Sequence, residues 1–158
     1  MSAFELRVNI WSNEAEHLET LRLSNLPKGK FMKTLTDYTQ KQQTELFEKT
    51  GTFFAFSNDQ FYEQYQPGKK YVSLGCGMYT PKESVREVVD GLEAIHKAGI
   101  QQDIDENGKA AIIERELHNH EAFYVCRIED TVRALESYNI GEDEIRKEYR
   151  RLAPTVEL

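Results

Sequence analysis

Cysteine is nearly missing from this chain: Cys76 and Cys126 are the only two in 158 residues. Two thiols do not make a disulfide framework, so burial has to hold the fold together. Proline is scarce too, at Pro27, Pro67, Pro81 and Pro154, and no internal repeat or low-complexity tract is visible. No run approaches the roughly 18 apolar residues that a membrane span needs. The opening Met1-Ser2-Ala3-Phe4-Glu5 has neither a basic nor an apolar signal region. A soluble, cytoplasmic protein without a membrane partner is the expectation. Positive charge is also short, with 20 Lys+Arg against 27 Asp+Glu and a net charge of −7. That balance argues against direct nucleic-acid binding and suits a basic partner protein.

What the chain has is aromatic residues, eight Phe and eight Tyr, each able to bury a large area. The length fits a single domain, 1–158, with 32–152 as its core and 1–31 as an N-terminal extension of strand plus helix. In that extension Phe4, Leu6, Val8 and Ile10 alternate with polar residues, the period of a strand, and Ser12-Asn13-Glu14 opens a helix carrying Leu18 and Leu21. A second helix is expected from about Lys33 to Lys49, with Leu35, Tyr38, Gln42, Leu46 and Phe47 inward and Gly51 as its C-terminal stop. Phe53 to Phe56 fits a buried strand, and Asn58 caps a short helix carrying Phe61, Tyr62 and Tyr65. After the Pro67-Gly68 turn, Tyr71 to Leu74 is a strand running into Gly75-Cys76-Gly77. Thr80-Pro81-Lys82-Glu83 has the spacing of a capping box, with Val85, Val88, Val89, Leu92 and Ile95 as the core stripe of the helix behind it. Further helices are expected over Ala110–His118, burying Ile112, Ile113 and Leu117, over Ile128–Tyr138, burying Val132 and Leu135, and over Glu142–Leu152, burying Ile145, Tyr149 and Leu152. Periodicity leaves Ala122 to Val125 open between strand and helix. The sum is an α+β domain: a small, mostly antiparallel sheet packed by about five helices, with a helix-rich C-terminal half.

Four places could carry chemistry. Asp103, Asp105, Asn107 and Glu114 have the spacing of a calcium loop, with Gly108 at its sharp turn. Ala110 and Arg115 depart from that pattern, and Asp, Asn and Gly also build ordinary turns. His118, His120 and Glu121 crowd together and could join Cys76 as a nucleophile–base pair or a metal site. Cys76 lies between two glycines ahead of the Val85 helix, whose dipole would activate a thiol there. The preferred reading of Cys76 is a small buried residue in a tight strand-to-helix turn. Arg146 and Arg150 stand on the last helix with Lys147 and Arg151, where basic residues also stabilise a helix terminus. Phe61, Tyr62 and Tyr65 belong to a dense aromatic run whose members outside the core would form a protein-docking surface.

Three stretches carry a resemblance: Gly51 to Phe61 (GTFFAFSNDQF), Lys70 to Met78 (KYVSLGCGM) with Pro81-Lys82, and Glu116 to Tyr124 (ELHNHEAFY). Over about residues 45 to 152 the chain resembles a group of small bacteriophage and mobile-element proteins. That resemblance implies an accessory protein acting stoichiometrically on a host or phage macromolecule, a protein or nucleoprotein complex, as an anti-CRISPR-like inhibitor of a bacterial defence system does. No catalytic residue is carried over from it. The residues favour such a binding protein over the alternative, a small metal-dependent or Cys–His hydrolase using Cys76, His118, His120 and Glu121.

Overall fold

In a computed structural model of the chain, residues 32–156 are described. The chain divides after Met32, and its second unit begins at Lys33. The strand and helix expected before that point, and the N-terminal extension as a whole, lie outside the described residues.

The first helix of the second unit, α1, spans Leu35–Thr50. It starts with a capping box: the Thr34 backbone N–H and hydroxyl both donate to Asp37 Oδ2, at 2.6 and 2.8 Å. It ends where Gly51, at φ 69°, takes up the left-handed conformation that costs glycine nothing. The Gly51 and Thr52 N–H groups then turn back onto Glu48 and Phe47 carbonyls, at 3.4 and 2.9 Å, so orphan carbonyls are satisfied. Tyr38, Thr39 and Thr50 are buried on α1, whereas Gln42, expected inward, is exposed and Gln43 takes a half-buried place.

Strand β1 is short, Phe53–Phe54; helix α2 spans Asn58–Gln64; β2 is Tyr71–Gly75 and β3 is Met78–Pro81. The cap of α2 is Ser57, not Asn58, its side chain accepting from Gln60 N at 3.3 Å. The strands form an antiparallel sheet in the order β1-β3-β2. Cys76 and Gly77 are the two loop residues of the β2–β3 hairpin, both at positive φ (49° and 75°), as a type I′ turn requires. The expected capping box at Thr80 does not form. The residue before proline is driven to extended backbone, so Thr80 and Pro81 stay in β3. A 3₁₀ turn, Lys82–Ser84, then leads into α3, Val85–Asn107. Thr80 is fully buried instead, its hydroxyl accepting from Thr52 at 3.0 Å, while Thr52 meets Thr50 at 2.7 Å. This chain of hydroxyls ties the end of α1 to the sheet.

Helix α3 packs along α1, with Val88 fully buried and Val85, Leu92 and Ile95 half-buried, but Val89 is exposed. Lys49 and Glu87 bridge the two helices at 2.6 Å. Helix α4, Lys109–Asn119, is the hub, touching α3, α5 (Ala122–Val125), α6 (Glu129–Leu135) and α7 (Glu142–Leu152). Ile112, Ile113 and Leu117 on α4 are buried, as are Leu135 on α6 and Ile145 on α7, two of the helices it touches. Glu136–Tyr138 tightens to 3₁₀ after α6, and a further 3₁₀ turn follows α7. The architecture is α+β as expected, with seven α-helices among the described residues. The count exceeds five because the short helix α2, expected from its cap, adds to the longer ones and because α5 is a single turn too short to show a period. Ala122 to Val125 resolves as one helical turn.

Candidate functional site

Cross-strand pairing puts Phe53, Tyr79 and Ser73 on one face of the sheet, and Tyr71, two residues from Ser73, shares it. The other face carries buried Thr80 and turns toward α1, where Phe54 meets Phe47 edge-on at 5.5 Å. Among the described residues α2 covers the first face, and it does so with aromatic rings. Phe61 sits 4.8 Å from Tyr79, 5.6 Å from Phe53 and 6.0 Å from Tyr71, measured between ring centroids. Tyr65 lies 5.8 Å from both Phe61 and Tyr71, and Tyr62 stands edge-on to Phe61 at 5.6 Å. These tilted and edge-to-face arrangements suit the aromatic quadrupole and fix each ring against its neighbours.

The cluster is not a closed core. None of its six rings is buried, and Tyr62 is 70% and Tyr65 39% exposed. Beside it Phe56, at 76% exposure, lies over the hairpin turn, close enough that a Cβ on Gly77 would come within 2.6 Å of its ring. Of the run Phe53 to Phe56 only Ala55 is buried, so the expected buried strand is an edge with outward rings. The half-buried rings of Phe53, Phe61, Tyr71 and Tyr79 thus make a floor from whose margin Tyr62 and Tyr65 project. The sequence pointed to Phe61, Tyr62 and Tyr65, and the structure brings them together. It missed Phe53, Tyr71 and Tyr79 as their floor. The period-two spacing of Tyr71 and Ser73 was the available signal, but strand register had to be known to use it. Arg146 and Arg150 stand apart on α7, which packs on α4 and α6, and Arg146 is paired with Glu142.

The candidate calcium ligands are placed differently from expectation. Asp103 to Glu114 is not a loop: α3 runs to Asn107, only Gly108 interrupts, and α4 begins at Lys109. Asp103 is fully buried and accepts four hydrogen bonds: from Asn107 at 2.8 Å, Arg115 at 3.1 and 2.9 Å, and the Tyr138 hydroxyl at 2.6 Å. Burial alone would raise its carboxyl, but the bonds from Arg115, Tyr138 and Asn107 outweigh that and hold it below the usual carboxylate range. Burial, then the bond to Asp103, pushes the Tyr138 phenol up. Arg115 also donates to Glu116 and to the Lys33 carbonyl, both at 2.7 Å. Asn107 further donates to the Tyr38 hydroxyl at 3.1 Å, which donates to Glu106 at 2.8 Å. Asp105 accepts from Gln101 at 2.8 Å on the exposed side of α3, while Glu114 lies on α4. Arg115, a departure from the calcium pattern, is the residue that occupies Asp103. The ligand set is thus split between a network that ties α3, α4 and the Tyr138 turn together and the surface. Among the described residues no group of three or more His, Cys, Asp or Glu is placed to hold a metal ion.

Cys76 is neither buried nor at a helix start: it is exposed at the tip of the β2–β3 hairpin, with β3 between it and α3. His118 lies at the end of α4 with its ring 5.1 Å from Phe123, His120 faces Glu116 at 3.8 Å, and Glu121 follows in left-handed backbone at φ 52°. Among the described residues no hydrogen bond joins Cys76 to either histidine.

The fold and this surface define a class: a small α+β domain with a helical body and a three-stranded sheet whose outer face is aromatic and part-exposed. A model of a family of unknown function, DUF7659, matches residues 35–154, and the chain belongs to that family. The match begins with α1 and ends in the 3₁₀ turn after α7, so it covers the helical body and the sheet together. No match was found among curated proteins or solved structures. Among the described residues no helix is long and apolar enough to cross a membrane.

Proposed function

We propose that this chain is a stoichiometric binding protein that docks through the aromatic face of its sheet onto a host macromolecule, and that it serves a phage or mobile element by inhibiting a bacterial defence system. The observation that carries the docking reading is Tyr62, 70% exposed at the margin of the ring cluster with its ring edge-on to Phe61 and Tyr65. Preordered aromatic rings lose little rotamer entropy on binding, and such anchors dominate interface energies. A chain of net charge −7 supports a basic partner surface around that anchor. The phage setting and the inhibitory role rest on the resemblance carried by Gly51 to Phe61, Lys70 to Met78 and Glu116 to Tyr124.

Two measurements test the reading. The first is capture from host lysate, followed by titration of the purified partner. Tyr62→Ala should weaken binding at least about tenfold, as loss of a hot spot does, with the melting temperature unchanged because the side chain is exposed. Cys76→Ala and His120→Ala should bind as the native chain does. Loss of the biological effect in those two variants, with partner binding intact, would point instead to the hydrolase. In the second, phage plating on a defence-carrying host should rise when the chain is expressed and return to background with Tyr62→Ala.

A further inference from the structure

The sheet has one long edge without a partner among the described residues. Among the described residues strand β2 pairs with β3 alone. Pro81, opposite Tyr71, has no N–H to give, and the adjacent bond runs from Lys82 N to Lys70 O at 2.8 Å. Hydrogen-bonded and non-bonded pairs alternate along an antiparallel ladder. Val72/Thr80 is therefore a bonded pair, and Tyr71/Pro81 and Ser73/Tyr79 are not. Backbone groups of the non-bonded residues on β2 point away from β3. Tyr71 and Ser73 thus present N–H and C=O outward, a template for one more strand.

Two features decide what that strand carries. At the start of β2 stand Lys69 and Lys70, with Lys82 brought beside Lys70 by the ladder bond. All three are exposed, and no carboxylate lies within ion-pair distance of them among the described residues. On a chain of net charge −7 this is a local, uncompensated positive patch. On one face of the same edge, Tyr65 and Tyr71 lie 5.8 Å apart. Antiparallel pairing of β2 with a second copy would set Gly75-Cys76-Gly77 near these lysines, which offers them no carboxylate. A nucleic acid could meet lysines and rings but has no peptide ladder to match Tyr71 and Ser73.

We propose that β2 binds an extended peptide segment of the partner by strand addition. The segment carries acidic residues at the end lying over Lys69, Lys70 and Lys82, and apolar side chains at alternate positions against Tyr65 and Tyr71. This rests on the binding-protein reading and adds to it the docking mode and the peptide chemistry.

The test uses the full chain and blocked, fluorescein-labelled octapeptides of alternating Val and Thr that end in two Asp, at one terminus or the other. Expected are saturable anisotropy below about 1 mM and slowed amide exchange at Tyr71 and Ser73. Lys69→Glu with Lys70→Glu should weaken binding at least about tenfold and remove its salt dependence. Ser73→Pro deletes the outward N–H without touching the β3 ladder and should abolish binding. If Ser73→Pro lowers the melting temperature, the exposed lysine variants decide alone. The proposal is overturned if neither acidic peptide binds at about 1 mM, if the same peptides ending in Lys bind equally, if an oligothymidylate of matched length binds more tightly, or if the lysine variants bind unchanged. If Tyr62→Ala loses the partner while Ser73→Pro and the lysine variants keep it, the strand-addition proposal falls and the binding-protein reading stands.

Discussion

Asp103 joins α3, α4 and the Tyr138 turn through its buried carboxylate. It is a buried anion with its hydrogen-bonding capacity filled by Arg115, Tyr138 and Asn107. Removing one member leaves the rest uncompensated in a low-dielectric interior. Asp103→Asn should therefore cost about 3 kcal/mol in urea unfolding, and Tyr138→Phe roughly 1.5–3 kcal/mol. The pH dependence has a definite sign. The folded carboxyl titrates below its unfolded counterpart, near pH 4 in a free chain. Its stabilisation is complete above that value and disappears as pH falls through the lower, folded one. The urea midpoints of native chain and Asp103→Asn should differ most at neutral pH and converge below about pH 4. An unchanged gap at low pH would show that the charge of Asp103 is not what stabilises it.

At the scale of elements, the contact between α1 and α3 depends on two glycines that sequence reasoning treats as helix weaknesses. A Cβ on Gly99 would stand 2.5 Å from Thr39 Cγ2 and 3.1 Å from Leu35 Cδ1, and Thr39 is buried and stiff at its branch. A Cβ on Gly91 would come within 2.8 Å of Leu46 Cδ2, the far end of a flexible side chain. Gly99→Ala should therefore lower stability by about 1–3 kcal/mol despite the better helix former. Gly91→Ala should be neutral or stabilising by up to about 1 kcal/mol. Thermal melts of the two variants separate close packing from propensity. The helix boundaries themselves were largely legible: Glu142–Leu152 matches to the residue, because acidic and basic ends flank a clear apolar stripe. The Thr80 start was not, because proline can both open a helix and hold its predecessor in a strand, and only the ladder bond from Lys82 to Lys70 decided between them. The capping box that does form, at Thr34 with Asp37, was equally present in the sequence.

For the molecule as a whole, the helical body and the sheet divide the work. The body buries Ile112, Ile113, Leu117, Leu135 and Ile145 around α4 and leaves no buried side-chain nitrogen or oxygen without a partner among the described residues. The sheet, backed by that body, turns its aromatic face outward. Stability and binding should accordingly respond to different changes: chelator should leave the melting temperature where it is, since Asp103 and Asn107 are committed to each other. A large fall with chelator would require an ion among residues that the fold pairs otherwise.

Local signals in the sequence determined the class of fold, most helices, the Gly51 stop and the aromatic trio on α2. Each depends on residues within about a turn or two of one another, where spacing and capping chemistry act directly. Tertiary structure alone decided the sheet order, the floor beneath Phe61, and the fate of Asp103. Its partners lie 12 and 35 residues away, and no local pattern distinguishes a carboxylate that waits for a cation from one that a distant arginine and tyrosine will bury.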